Sequence, residues 1–120
     1  MVDVHGQANL ETLVRVHNAR MVGAIAQHLR VEREPPMLGV FLIALADAMR
    51  GDSVGAVRIA GALGKQRRRA GHDVNALLLE FELARRAVAE LMTNLHVPAH
   101  ARLRDVTVAC AREAAAQFPP

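Results

Sequence analysis

The sequence predicts an all-α fold: a single domain built as an antiparallel bundle of about five helices. Three observations lead there. Apolar residues recur every three or four positions over long stretches, the spacing of one helical face. The apolar fraction is high, 52%, but it is carried mainly by Ala, Leu and Val, with only three Phe and no Trp or Tyr. That set suits closely packed helices better than strands. Pro35-Pro36, Gly51, Gly71 and Pro98 separate the periodic stretches and leave connections of about 2–6 residues, as bundles require. At 120 residues the chain is long enough for one core.

Residues 1–8 read as a flexible tail and residues 9–118 as the helical domain. Asn9 is a suitable cap for a first helix running to about Arg33, with Leu10, Leu13, Val14, His17, Met21, Ala24, Ile25 and His28 along one stripe. Pro35 and Pro36 stop it, because proline lacks the amide donor and the residue before it avoids the helical region. The second helix, Met37 to Arg50, is apolar around most of its circumference and so is expected to be buried on more than one side. Gly51 ends it, and Asp52 or Ser53 caps the third, which reaches Ala70.

That third helix has two apolar faces. Ala56, Ile59, Ala60 and Leu63 lead to Arg67 on one, while Val54, Val57, Gly61 and Gly64 form the other. A helical glycine costs about 1 kcal/mol relative to alanine, so two of them on one face imply that another backbone comes close. Gly71 takes the left-handed conformation that ends helices, and Asp73 caps the next. The fourth helix runs to about Asn94 with Val74, Leu77, Leu78, Phe81, Ala84, Val88, Leu91 and Met92 inward. Pro98 suits the first position of a fifth helix, which turns Leu103, Val106, Cys110 and Ala114 inward.

Around the turn at Gly71 the sequence resembles a known module. Gly64-Lys65-Gln66-Arg67, Gly71, and the run from Leu78 through Glu80, Phe81, Glu82, Leu83 and Arg85 to Ala87 are similar to the N-terminal domain of RsbRD-type stressosome co-antagonists. The same module stands at the front of some bacterial sensor histidine kinases. Its pattern carries a His where Leu63 stands here, so that residue's contribution does not carry over. The resemblance implies a dimerising sensory domain that passes input to a kinase or STAS-type output partner.

Composition narrows the chemistry. One cysteine excludes an internal disulfide and suits a reducing compartment, and neither a signal peptide nor a membrane span is visible. The longest apolar run is about 13 residues against roughly 20 for a span, so a cytoplasmic location is expected. The net charge is +3, with Lys65, Arg67, Arg68 and Arg69 forming a basic knot that also complements a helix C-terminus. Six histidines show no ligand spacing, and few aromatics are present to wall a haem, so no metal or cofactor is expected. Cys110 lies in an apolar setting that makes a thiol inert, and Glu80 and Glu82 point to different sides of their helix. The protein is not expected to be an enzyme.

The most specific polar signal is the group Arg67, Glu80 and Arg85 near one helix seam. It reads either as a buried network fixing helix register or as a site whose arginines await an anionic ligand or a partner's carboxylate. The apolar surface of the second and third helices exceeds what one core hides. A homodimer is therefore expected through Val54, Val57, Gly61 and Gly64, with Val40 and Ile43 beside them. The function expected is a non-catalytic sensory or protein-interaction module. The alternative is a small-ligand sensor with a pocket lined by Met21, Phe41, Met49, Phe81 and Met92 and gated by Arg67 or Arg85. A DNA-binding regulator is third, because Leu63 to Val74 resembles the opening of a helix-turn-helix but no recognition helix follows.

Overall fold

The computed structural model describes residues 4–119, with side-chain surroundings from Leu10 onward. Six α-helices follow one another: α1 (Val4–Val16), α2 (Asn18–Leu29), α3 (Leu38–Ala48), α4 (Val54–Arg69), α5 (Val74–Asn94) and α6 (His100–Ala115). Among the described residues there is no strand, so the all-α expectation holds, with six helices in place of about five. The radius of gyration, 13.6 Å, is that of one packed globule of this length.

Two helix boundaries differ from expectation at the front of the chain. α1 starts at Val4, inside the stretch read as tail, and the long first helix is interrupted at His17. The interruption is one residue wide. His17 leaves helical geometry (φ −97°, ψ 11°), yet its amide still donates to Leu13 O and its carbonyl still accepts from Met21 N. Asn18 then donates its side-chain amide to Gly39 O at 2.9 Å, pinning the start of α2 to α3. Gly39 is bare where that occurs, since a Cβ there would collide with Asn18 Oδ1.

Three helices end by one device. At Arg30, Gly71 and His96 the chain turns left-handed (φ 57°, 85° and 57°), and that residue's amide and the next one fold back on the last turn. For α4 these bonds run from Gly71 N to Arg68 O and from His72 N to Arg67 O, each 3.0 Å. Asp73 caps α5 as expected, accepting from Ala76 N at 2.7 Å. α4 is entered through Asp52 rather than Ser53, with Asp52 Oδ1 accepting from Val54 N. Pro98 lies outside α6, which begins at His100.

The core forms where α3, apolar nearly all round, is enclosed. Phe41, Leu42 and Leu45 meet Leu10 and Val14 of α1, Ala60 and Leu63 of α4, and Leu77 and Phe81 of α5 within one buried cluster. Phe41 and Phe81 stack edge to face with ring centroids 4.8 Å apart. The most extensive helix contact is α4 with α6. α6 brings Leu103, Val106, Cys110 and Ala114 inward as its spacing predicts. Arg102 Nε donates to Ala48 O at 2.9 Å, placing a cation on the C-terminal carbonyls of α3.

Candidate functional site

Arg67 is fully buried and Glu80 is 3% exposed. The Arg67 guanidinium donates Nε to Oε1 (2.8 Å) and Nη2 to Oε2 (2.6 Å) of Glu80, a bidentate fork. Its Nη2 also donates to Pro36 O at 2.8 Å, and Nη1 donates to Gln66 Oε1. One side chain thus ties α4, α5 and the loop before α3. Each guanidinium nitrogen donates within the fold, and no buried side-chain nitrogen or oxygen among the described residues lacks a partner.

Arg85 does not belong to this group. It faces half into solvent and clasps Glu82, with Nε–Oε2 at 3.0 Å and Nη2–Oε1 at 2.6 Å. Glu82 is three residues away on the same helix, a spacing that places the two side chains side by side. Arg86 donates to the same carboxylate at 3.1 Å. The hydrogen bond from Arg85 holds the Glu82 carboxyl below its ordinary value, against the opposing effect of desolvation. The expected triad is therefore two separate arrangements: a closed buried pair and an open surface cluster.

The glycine face of α4 is also reassigned. A close backbone is there, but it belongs to α6 of the same chain. A Cβ on Gly64 would lie 2.5 Å from Ala114 O and 2.7 Å from its Cα, and one on Gly61 would touch the Glu113 side chain at 3.3 Å. Gly61 and Gly64 are buried and cannot form a dimer contact, and Val57 packs half-buried against the core. Of the remaining expected residues, Val40 and Val54 are each 56% exposed and Ile43 is half-buried. Val40, Ile43 and Ile59 line a shallow groove between α3 and α4 whose rim carries Glu11, Asp47 and Asp52 together with Arg15. Arg50 joins this rim through ion pairs to Glu11 and Asp47.

The pocket expected among Met21, Phe41, Met49, Phe81 and Met92 is filled. All five are core residues, and Phe41 and Phe81 close it with their own rings. Arg67 therefore gates nothing.

A surface feature that the sequence did not reveal lies between α5 and α6. Leu78, on the stripe expected to face inward, is 42% exposed, and Val108 of α6 is 49% exposed. Both line a groove of about 460 Å³ with Phe81 and Thr107, flanked by Arg85 and Arg104. Arg104 has no acidic partner among the described residues. The signal available in the sequence was the spacing of Arg104, Val108 and Ala111, three or four apart on the side of α6 away from Leu103 and Cys110.

Elsewhere, Lys65, Arg68 and Arg69 are exposed beside Gln117. Among the described residues no three His, Cys, Asp or Glu side chains gather as a metal site, and no helix is long and apolar enough to cross a membrane. Burial pushes the Cys110 thiol up to about 11. No protein-family model, curated protein or solved structure matches the chain.

Proposed function

We propose that this domain is a non-catalytic protein-interaction module of bacterial signal transduction, binding a kinase or STAS-type partner through the groove between α5 and α6. One observation carries the proposal: two exposed aliphatic side chains, Leu78 and Val108, flank a groove bordered by arginines. The rim sets the chemistry of the occupant. Arg85 and Arg104 stand against the single carboxylate of Glu82, which Arg85 already clasps. An amphipathic helix carrying acidic residues matches that excess of positive charge, with its apolar residues on Leu78 and Val108. The resemblance of Gly64, Arg67, Gly71, Leu78, Glu80, Phe81, Leu83 and Arg85 to the RsbRD-type module supports a signalling partner. In that reading the Arg67–Glu80 pair is architectural, holding α5 at the register that presents Leu78.

The module dimerises through the outer face of α3 and α4, using Val40, Ile43 and Val54. Its rim carries both signs, Arg15 and Arg50 against Glu11, Asp47 and Asp52. A two-fold contact brings the same patch together twice, so mixed charge suits a second copy of this chain, where the α5–α6 rim does not.

Affinity capture from bacterial extract, with a Leu78→Asp/Val108→Asp variant as control, tests the partner. The expected result is a kinase or STAS-type protein retained by the wild type and lost from the variant. Retention by both proteins, or recovery of no such protein, overturns the proposal. Sedimentation equilibrium tests the dimer, which Val40→Asp should dissociate.

A further inference from the structure

Between α2 and α5 the core comes close to solvent. Most large core side chains are sealed, but Met21, Ile25, Leu83 and Leu91 keep 7%, 4%, 8% and 8% of their surface. All four form the floor of one cleft of about 400 Å³, with Ala24 and Ala87 among its walls. That volume falls within the roughly 300–1,000 Å³ of small-molecule sites, which pair an apolar lining with a few polar groups. Here the polar groups are Arg20 and His28 from α2 and Arg86, Glu90 and Asn94 from α5. Arg20 has no acidic partner among the described residues, and Arg86 shares its carboxylate with Arg85. The rim therefore carries one guanidinium with no carboxylate of its own, Arg20, and a second, Arg86, that Glu82 also holds, beside the carboxylate of Glu90.

We propose that this cleft binds a small amphipathic carboxylate, with its hydrocarbon chain over Met21, Ile25, Leu83 and Leu91 and its head group on Arg20 and Arg86. The chemistry follows from the lining. An alkyl chain covers the part of the core left open and gains the free energy of removing those atoms from water. A carboxylate is the head group that an unpaired guanidinium binds bidentately, through hydrogen bonds stronger than neutral ones. The hydrocarbon half thus meets apolar surface that the fold leaves open, and the head group meets Arg20, which no carboxylate of the described residues pairs. This site is separate from the α5–α6 groove and stands or falls apart from it.

The probe is sodium decanoate, kept below its aggregation concentration and titrated against methyl-labelled protein followed by NMR. Decanol serves as the uncharged comparison. Saturable shifts are expected at the methyls of Met21, Ile25, Leu83 and Leu91 and not at those of Leu42 or Leu45, which are fully buried. Ala24→Leu places a larger side chain in the cleft from an exposed position and should abolish the shifts without lowering the melting temperature. Arg20→Gln should weaken decanoate about tenfold, the loss of one charge-assisted interaction, while leaving decanol unchanged. Absence of saturable shifts in the wild type overturns the proposal. So does wild-type binding by Ala24→Leu, or an equal effect of Arg20→Gln on acid and alcohol.

Discussion

Replacing Arg67 with Met keeps an unbranched apolar stem of similar length and removes the guanidinium. Glu80, 3% exposed, is then left with no cation, and the Pro36 carbonyl loses its side-chain donor. Breaking a buried ion pair from one side costs about 3–5 kcal/mol, because the surviving charge remains desolvated without compensation. An unfolding entropy of roughly 2.1 cal/mol/K per residue gives about 0.25 kcal/mol/K for a chain of this length, so the melting temperature should fall by about 12–20 °C. A domain of this size has about 5–15 kcal/mol in total, so the variant should be marginal but folded. The decisive comparison is the double variant Arg67→Met/Glu80→Leu, which removes both charges. It should recover most of the loss, stopping short by about 1 kcal/mol for the unpaired Pro36 carbonyl. Urea denaturation of the wild type, both single variants and the double measures all four corners. A loss below about 1 kcal/mol for Arg67→Met, or a double variant as unstable as the two singles summed, would refute the reasoning.

Four further outcomes follow from the same geometry. Gly64→Ala forces α4 away from the Ala114 backbone and should cost about 1–3 kcal/mol. Gly23→Ala, with nothing within 4 Å of its new Cβ, should stabilise α2 by about 0.5–1 kcal/mol; equal responses of the two sites to urea would show that α6 does not rest on Gly64. Cys110, fully buried with its thiol raised to about 11, should resist thiol reagents at pH 8 until the protein unfolds, and rapid native labelling would contradict its burial. Glu82 is held below its ordinary value of 4.5, so its contribution to stability is present above that pH and is lost as pH falls through the lower folded value. The Glu82 side chain is 40% exposed, so the effect should be at most about 0.5 kcal/mol and shrink in salt; denaturation against pH should show Glu82→Gln flattening that limb.

What could be read from the sequence is what short-range chemistry decides. The left-handed turn at Gly71, the Asp73 cap and the inward face of α6 depend on residues within a few positions of one another. The pairing of Arg67 with Glu80 was also legible, since a tight turn between two long helices brings their facing positions together. Long-range placement was not legible. Gly61 and Gly64 announced a close backbone but not which one, and only the return of α6 across α4 makes it the chain's own. The interruption at His17 carries no Gly or Pro signal, because it comes with a contact from Asn18 to Gly39 on another helix. Arg85 lies close to Glu80 in sequence, but Glu82 stands nearer on its own helix surface and takes its hydrogen bonds. Leu78 fits the inward stripe by spacing, but α6 leaves its edge of the stripe uncovered.

On the proposed function, the signalling partner seats in the α5–α6 groove. Calorimetric titration of the captured kinase or STAS-type domain onto wild type and onto Leu78→Asp/Val108→Asp, both with native helix content, tests it most directly. The account predicts saturable binding to the wild type that weakens as salt screens Arg85 and Arg104, and no measurable binding to the variant. Equal affinity for the two proteins would contradict it.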